Sequence, residues 1–268
     1  MSSGSNLTVQ VPSRGIGLDL RAVEKTFPGG VRVIEPVSIR IDAGDFVALI
    51  GPSGCGKSTL LRIIAGLDTP TSGTVTRTQA RTADPAHRDI AYVFQDAHLL
   101  PWRKVLTNVS LPLELAGVGK SQREARASEL LKQVGLADLA NRYPAQLSGG
   151  QRMRVSLARA MVTSPSLLLL DEPFAALDAI TRQQLDDWLR VLWHERGMTV
   201  LFVTHSIHEA TFLANRAIVL STRPARVALD HDLAAHLPAN RTPAVRTTPV
   251  FAEQMRTLFV ALEGGPRA

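Results

Sequence analysis

The stretch "DFVALIGPSGCGKSTLLRIIAGL", residues 45–67, decides the fold of this chain of 268 residues. Its first part, "DFVALIG" (45–51), is apolar enough to predict a buried strand. Its last part, "KSTLLRIIAGL" (57–67), has apolar residues at helical spacing, which share one face: Leu60, Leu61, Ile64 and Leu67. The loop between them, "GPSGCGKST" (51–59), satisfies G-x-x-x-x-G-K-[S/T], a pattern that binds phosphate. The sequence therefore predicts a strand, a phosphate-binding loop and a helix in succession.

The chemistry of this loop comes from its backbone and from two side chains. The glycines let backbone N–H groups curl around phosphate oxygens, and the helix adds its positive N-terminal end. Lys57 is placed to reach the β- and γ-phosphates of a nucleotide, and the Ser58 hydroxyl is placed on Mg²⁺. The alternative is a glycine-rich turn, but a chance match is on the order of one in a hundred. The candidate nucleotide-binding residues are Gly51, Pro52, Ser53, Gly54, Cys55, Gly56, Lys57, Ser58 and Thr59.

Composition limits the class of protein. Hydrophobic residues make up 45% and charged residues 20%, as in ordinary globular proteins, and the length suits one large α/β domain or two small ones. The net charge is +6, but the arginines are scattered, so nucleic acid is not expected as a partner. Apolar stretches are far shorter than the roughly 20 residues that cross a bilayer. The single cysteine, Cys55, excludes an intrachain disulfide, and alkylation of its thiol is expected to block nucleotide binding.

The remaining elements follow from local patterns. Residues 1–15 are polar and are expected to be disordered. Two extended runs on either side of Pro28 predict antiparallel strands within 16–42. Residues 104–146 are predicted to be mostly helical, with one clear helix capped by Gly135. The tail 222–247 is predicted to be a loop, and Thr248 and Pro249 are the predicted N-cap and first residue of a last helix over about 249–262.

Polar side chains follow three of the predicted strands at the point where each strand ends. Gln95 follows "IAYVF" (90–94), Asp171 and Glu172 follow four leucines, and His205 follows Thr204. In open parallel sheets, ligands bind beyond the carboxyl ends of the strands, so these residues are expected to converge on one crevice. Asp171 is placed to hold Mg²⁺ through water, and Glu172 could polarise an attacking water.

A second candidate anion site begins the stretch "LSGGQRMRVSLARA" (147–160). Ser148 is the predicted N-cap of a helix whose first residues, Gly149 and Gly150, expose backbone N–H groups at the positive end of the helix dipole. The alternative is a capped helix that happens to start with glycine. Because no second lysine accompanies this site, it is expected to hold the same nucleotide from the other side.

The sequence "LSGGQ" resembles the signature motif of the ABC ATPases. Other family motifs occur in order: Walker A at 51–59, Gln95 as the Q-loop, the signature at 147–151, Walker B at 167–172, the D-loop at 175–178 and His205 as the switch histidine. The resemblance covers residues 16–222. It implies an α/β P-loop fold with a mostly parallel core sheet, an N-terminal antiparallel β subdomain and an inserted α-helical subdomain at about 97–160. Residues 223–268 would form a C-terminal extension.

The resemblance also implies roles for individual residues. Two chains would form a head-to-tail dimer, in which each ATP lies between one Walker A motif and the partner's signature residues Ser148–Gln151. Phe27 would stack on adenine, and the D-loop residue Asp178 would lie by the nucleotide. The implied metal ligands are Ser58, Gln95 and Asp171, and the implied catalytic residues are Glu172, Gln95 and His205. Ala175 and Ser206 depart from the family pattern, which usually has Ser or Gly in the D-loop and Asp after the histidine.

Three kinds of protein fit these motifs to different degrees. A regulatory or kinase-like P-loop protein has no need of LSGGQ, and soluble ABC proteins of DNA repair or translation usually carry two cassettes, a coiled coil or zinc-binding cysteines. The stretches "VFQDAHLLPWRKVLTNV" (93–109), "DEPFAALDAITRQQL" (171–185) and "RTTPVFAEQMRTL" (246–258) resemble the ATPase subunits of nitrate, sulfonate and taurine importers. Importers of polyamines or thiamine precursors use close variants and are alternatives. The implied partners are a second ATPase subunit, two transmembrane permease subunits and an extracytoplasmic solute-binding protein.

That resemblance implies a peripheral location on the cytoplasmic face of the inner membrane. The apolar residues Leu99 and Leu100, with Pro101 and Trp102, are predicted to form an exposed patch that receives a helix of the membrane subunit. The alternative is that Trp102 belongs to the core of the helical subdomain.

Overall fold

The structure is a computed structural model that describes residues 14–78, 87–175 and 177–264. The predicted disorder of residues 1–15 therefore falls almost wholly outside the described residues, as does Ala176 of the predicted D-loop. Within the described part, the strands are β1 (Leu18–Phe27), β2 (Val31–Ile41), β3 (Phe46–Ile50), β4 (Ser72–Arg77), β5 (Ile90–Val93), β6 (Leu167–Asp171), β7 (Thr199–Thr204), β8 (Arg216–Leu220) and β9 (Val227–Asp232). The α-helices are α1 (Lys57–Ala65), α2 (Val105–Val109), α3 (Leu111–Leu115), α4 (Lys120–Gln133), α5 (Gly149–Met161), α6 (Ala179–Arg196), α7 (Ile207–Leu213) and α8 (Pro249–Glu263).

The central sheet has six strands in the order β5-β6-β7-β3-β8-β9. Every neighbouring pair is parallel except β8 and β9. All residues of β3, β6 and β7 are buried, which is why these strands are continuous apolar runs with no alternation. The predicted α/β fold with a mostly parallel sheet is confirmed.

The register of this sheet brings the predicted site residues to one edge. Ile50 pairs with Thr204, and Asp171 pairs with Val203, so β3, β6 and β7 end at the same level. Val93 near the end of β5 pairs with Leu170. The loops that follow these four strands therefore leave the same edge of the sheet, as ligand-binding loops do in open α/β folds.

A second, antiparallel sheet forms from the N-terminal strands in the order β2-β1-β4. Its buried residues, such as Leu18 and Val37, join those of β3 and α1 in one core cluster. On the other face of the central sheet, α2, α4 and α5 pack through buried residues such as Val109 and Leu131. No helix in the described residues has the length and apolar character that crossing a bilayer requires.

The structure corrects two helix ends. Leu67 is 60% exposed and lies beyond α1, because Gly66 takes a left-handed φ of 77° and ends the helix. The predicted cap of α4 is also displaced by one residue: Val134 is the C-cap, and Gly135 follows it with φ 69°. In both helices glycine supplies the positive φ at which a helix commonly stops.

The tail holds the main difference from the prediction. Residues 222–247 were expected to be a loop, but β9 (Val227–Asp232) pairs with β8 at the edge of the central sheet. None of its residues is fully buried, so β9 lacks the apolar pattern that identifies a strand in a sequence. The last helix does begin as predicted, since the Thr248 hydroxyl accepts a hydrogen bond from the Phe251 N–H at 3.3 Å. Phe259 of this helix is 48% exposed, so it lies outside the buried face that Phe251 and Leu258 form.

Candidate functional site

The phosphate-binding loop joins β3 to α1, and its shape depends on glycine. Gly54 has φ 74° and Gly56 has φ 119°, values that residues with a Cβ rarely adopt. A Cβ on Gly56 would also lie 3.0 Å from the Val33 Cγ1 atom of β2. The loop can therefore present its backbone closely to an anion only with glycine at these positions.

Lys57, the first residue of α1, lies within this loop. Only 4% of its surface is exposed, and its ammonium donates hydrogen bonds to the carbonyls of Gly51 at 2.8 Å and Pro52 at 3.0 Å. The same ammonium is 3.9 Å from a carboxylate oxygen of Glu172. The structure thus holds a positive charge where the loop would receive phosphate.

Oxygen ligands suited to a hard cation meet beside the lysine. The Ser58 hydroxyl donates to Asp171 Oδ1 at 2.8 Å, and the Tyr92 hydroxyl donates to Asp171 Oδ2 at 3.0 Å. Carboxylate and hydroxyl oxygens are the ligands that Mg²⁺ prefers, so the donor set fits this ion. Burial, followed by the neighbouring Asp171 charge, raises the pKa of Tyr92, which keeps its hydroxyl protonated as a donor.

Sequence analysis missed Tyr92. The residue lies in "IAYVF" just before Gln95, but nothing in that pattern indicates that its side chain reaches Asp171, 79 positions further along the chain. Only the pairing of β5 with β6 brings the two together.

Glu172 occupies the centre of the site in a strained conformation. Its φ is 48°, an unusual value for a residue that is not glycine, and such backbones cost on the order of 1–3 kcal/mol. Its N–H donates to the Val203 carbonyl at 3.0 Å, which ties the loop to β7. One carboxylate oxygen lies 3.4 Å from His205 Nδ1, and the other faces Lys57. Glu172 therefore lies between the lysine of the phosphate loop and the histidine after β7.

Two other predicted residues are accessible to a ligand. Gln95 is exposed just beyond β5, at the same edge of the sheet as Glu172. Phe27 ends β1 with 39% of its surface exposed, and the Lys25 ammonium lies 5.1 Å from the centre of its ring. The ring is therefore not a core aromatic.

The thiol of Cys55 does not border the loop's open side. It is 1% exposed and belongs to the core cluster below the sheet, with Val47 and Leu60 among its members. Burial raises the pKa of the thiol, which further lowers its reactivity. The expectation that alkylation reports on the nucleotide site is therefore not supported, because the thiol is inaccessible in the folded chain.

The signature residues form a capped helix start. Ser148 Oγ accepts from the Gln151 N–H at 3.2 Å, and Gln151 Oε1 accepts from the Ser148 N–H at 2.9 Å. This reciprocal capping box fixes the start of α5, with Gly149 and Gly150 as its first residues. A groove of about 500 Å³ lies against this helix end, and Leu177 and Asp178 form part of its wall.

This groove is separate from the phosphate loop of the same chain. None of residues 51–59 lines it. Asp178 caps α6 by accepting a hydrogen bond from the Thr181 N–H at 2.9 Å, and this backbone contact lowers the pKa of its carboxyl. The two candidate anion-binding features therefore lie at different places on the chain.

One departure from the expected pattern has a structural explanation. Ser206 is the N-cap of α7, and its hydroxyl accepts a hydrogen bond from the Glu209 N–H at 3.2 Å. Serine and aspartate cap helices about equally well, so the histidine loop keeps its anchor with either residue. Nothing in the structure explains Ala175.

A phosphate loop before α1, an acidic pair after β6 and a glycine-initiated helix elsewhere on the surface define a P-loop ATPase cassette. The chain belongs to the ABC transporter family, whose sequence profile matches residues 34–175.

Individual relatives agree with this membership. The chain is 44% identical over 265 residues to the aliphatic sulfonates import ATP-binding protein SsuB of Pseudomonas fluorescens strain Pf0-1, covering 98% of this chain and 94% of that protein. It is 48% identical over 221 residues to the SsuB protein of Pseudomonas putida, covering 82% of this chain and 79% of that protein.

Solved structures give the same result. A dimeric post-hydrolysis state of the ATP-binding cassette MJ0796 bound to ADP and Pi matches with a TM-score of 0.72 and 37% identity, covering 81% of this chain and 98% of that one. An inward-facing putative metal-chelate type ABC transporter matches with a TM-score of 0.72 and 25% identity, covering 93% and 90% of the two chains.

Proposed function

We propose that this chain is the ATP-hydrolysing subunit of an importer for aliphatic sulfonates or similar small anions, such as taurine or nitrate. The observation that carries the hydrolytic role is the position of Glu172 between Lys57 and His205, beside the Ser58–Asp171 pair. The solute class is supported by the names of the relatives, which are sulfonate import proteins at 44–48% identity.

The side chains divide the chemistry of hydrolysis. Lys57 and the N–H groups of the loop bind the β- and γ-phosphates. Ser58 and Asp171, with Gln95, would hold Mg²⁺, which when bound neutralises charge on the phosphate oxygens. Phe27 offers its exposed ring to adenine.

Glu172 accepts a proton from the attacking water. The water oxygen bonds to the γ-phosphorus while the bond to the bridging oxygen of ADP breaks, which yields ADP and phosphate. His205 Nδ1 lies 3.4 Å from Glu172, so the ring can orient the carboxylate. We infer that the same ring contacts the γ-phosphate.

A head-to-tail pair of chains would complete each site. None of the chain's own phosphate-loop residues lines the groove at Gly149 and Gly150, so a γ-phosphate bound at this positive helix end would come from another chain. A partner chain provides it if each ATP lies between one Walker A loop and the partner's Ser148–Gln151. The dimeric cassette structures that match this chain support that arrangement.

The membrane subunits would dock beside the helical region. Trp102 is 71% exposed and Leu115 is 78% exposed, which favours a surface patch over the core alternative for Trp102. An apolar groove of about 290 Å³, with Leu111 and Pro112 in its wall, lies in the same region. We infer that two permease subunits dock here, that a solute-binding protein acts through them, and that the chain is peripheral on the cytoplasmic face of the inner membrane.

Replacing Glu172 with Gln tests the hydrolytic role. The substitution keeps the shape of the side chain and removes the base, so hydrolysis is expected to fall by a factor on the order of 10²–10⁴. Binding of Mg-ATP should persist, because Lys57, Ser58 and Asp171 are unchanged. The variant should accumulate as an ATP-dependent dimer, measured by light scattering, since the nucleotide is no longer consumed.

Ser148→Arg in the Glu172→Gln background is the matched control. The arginine side chain would fill the space that the partner's γ-phosphate needs, so the ATP-dependent dimer should disappear while ATP binding to the monomer remains. Near-normal hydrolysis by Glu172→Gln would contradict the role of this residue. A dimer that survives Ser148→Arg would contradict the head-to-tail arrangement.

A further inference from the structure

An ion pair connects the helix after the D-loop to the helix after His205. Arg182 in the first turn of α6 lies 3.4 Å from an oxygen of Glu209 in α7. The Glu209 carboxylate is 5% exposed, and burial raises its pKa, whereas the Thr204 hydrogen bond and the charge of Arg182 lower it. A carboxylate this deeply buried needs close partners, and it has them on two sides.

The first side leads to the histidine. Glu209 Oε2 accepts a hydrogen bond from the Thr204 hydroxyl at 2.6 Å, and the Thr204 oxygen in turn accepts from the Ser206 N–H at 3.0 Å. Thr204 and Ser206 are the two neighbours of His205. The Glu209 carboxylate therefore holds the Thr204 side chain directly and the Ser206 N–H through the Thr204 hydroxyl. Both neighbours of the histidine are anchored in this way.

The other partner of Glu209 is Arg182, which also contacts the signature groove, the groove of about 500 Å³ at the start of α5. The Arg182 guanidinium donates to the Leu177 carbonyl at 2.9 Å. Leu177 lines the groove at the start of α5, and its side chain lies 3.1 Å from where a Cβ on Gly150 would stand. The same arginine thus contacts the wall of the groove and the carboxylate that holds the histidine loop.

We propose that Arg182 and Glu209 are positioning residues that connect the signature groove of a chain to the His205–Glu172 pair of the same chain. This inference rests on the proposed function, because only in the proposed head-to-tail dimer does the partner's ATP lie in the groove. Contact at the groove would then set how closely His205 approaches Glu172, so that one ATP site responds to the other. Stability alone is a weak reason for the pair, since the Arg182 side chain is 32% exposed and ion pairs open to solvent contribute little.

The variants Arg182→Met and Glu209→Gln test the connection. Each keeps the approximate volume and removes the charge, so kcat for ATP should fall on the order of 10–100-fold, as expected when a catalytic group is slightly misplaced. KM for ATP should stay within about twofold, because phosphate binding at Lys57 is untouched. Arg182→Lys should recover part of the loss. Arg216→Met is the matched control, since Arg216 makes a half-buried ion pair with Asp230 at the far edge of the sheet.

The background His205→Ala separates positioning from folding. If the pair acts through the histidine, adding Arg182→Met to His205→Ala should cause no further loss in the rate constant of hydrolysis. This rate constant is measured under single-turnover conditions. An equal loss in both backgrounds, or a loss matched by Arg216→Met, would overturn the proposal. Should Arg182→Met not fold, Glu209→Gln and Arg182→Lys give the same comparison.

The outcome also separates this proposal from the function on which it rests. If His205→Ala leaves hydrolysis unchanged, the hydrolytic role assigned to the site is wrong and the connection has nothing to position. If His205→Ala strongly lowers hydrolysis to a residual rate that is still measurable, while Arg182→Met and Glu209→Gln retain normal kcat, the proposed function stands and the connection is refuted.

Discussion

Asp186 on α6 is a buried carboxyl with an incomplete set of partners. Its surface is 1% exposed, Oδ1 has no hydrogen-bond partner among the described residues, and the Arg246 guanidinium is 3.9 Å from Oδ2. Burial, with a smaller contribution from the nearby Glu209 carboxylate, raises the pKa of Asp186 to about 8, although the charge of Arg246 opposes the shift. The folded chain therefore favours the protonated acid.

This shift predicts that the folded chain loses stability as the pH rises. Because the pKa in the folded chain lies above the ordinary aspartate value of 3.8, the contribution to stability is fully present below about pH 4 and is lost as the pH rises through about 8. Asp186→Asn should remove this loss. When the pH is raised from about 5 to about 9, the free energy of unfolding should therefore fall less for the variant than for the wild type. Urea unfolding at both pH values measures the difference.

Asp42→Asn is the control for this experiment, since the Asp42 side chain is 72% exposed. It should change stability by no more than about 0.5 kcal/mol at either pH. The interpretation of Asp186 would be wrong if Asp186→Asn gave the same pH dependence as the wild type.

At this scale the sequence predicts the residues that act through local motifs. Lys57 and Ser58 follow from an eight-residue pattern, and Asp171 follows from its place at the end of an apolar strand. The sequence does not predict a role for Thr204 or Glu209, because their proposed role depends on contacts with α6 and with the histidine loop. Such contacts depend on packing between elements that are distant in sequence, and no local pattern encodes them.

Elements show the same division between local and distant causes. The start of α5 is predictable because its capping box lies within four consecutive residues, Ser148–Gln151. The strand β9 is not, because it forms by pairing with β8 and buries little of its own surface. Edge strands carry polar residues that suppress aggregation, which also removes the apolar pattern.

Trp102→Ala tests whether the segment before α2 is a docking surface. Because Trp102 is 71% exposed, its removal should change the free energy of unfolding by about 0.5 kcal/mol or less. If the segment receives the membrane subunits, the variant should fail to co-purify with them while its isolated ATPase activity remains. Thermal unfolding and co-purification measure the two effects.

A second tryptophan provides the comparison. Trp193 packs edge-on against Phe46 and donates its indole N–H to the Gly44 carbonyl at 2.9 Å. Trp193→Ala should destabilise the chain by about 3–5 kcal/mol, as truncations of packed aromatic residues do. If Trp102→Ala destabilised the chain by a similar amount, Trp102 would belong to the core and the docking interpretation would fail.

For the molecule as a whole, the structure shows that the C-terminal region is part of the main core. Phe251 and Leu258 of α8 are buried in the cluster that includes the central sheet, and Phe251 packs edge-on against His208 of α7. The helix α7 directly follows the histidine loop. The tail therefore supports an element next to the candidate site, which the sequence did not reveal because the connection to the core is tertiary.

Arg241 is the residue through which this tail meets the end of α7, and its replacement should show how much the tail contributes. Its buried guanidinium donates to the carbonyls of Thr211 at 2.9 Å and Phe212 at 3.1 Å, and also to that of Ala214. These groups are among the last carbonyls of a helix, which have no partner within the helix itself. Arg241→Met would leave them buried and unpaired, so the free energy of unfolding should fall by about 2–4 kcal/mol.

Arg256→Met is the comparison for this prediction, because Arg256 lies exposed on α8 and pairs with Glu253 three residues before it. It should cost less than about 0.5 kcal/mol, as exposed pairs usually do. Urea denaturation of both variants gives the two values. Equal midpoints for Arg241→Met and the wild type would mean that the Arg241 hydrogen bonds do not stabilise the end of α7.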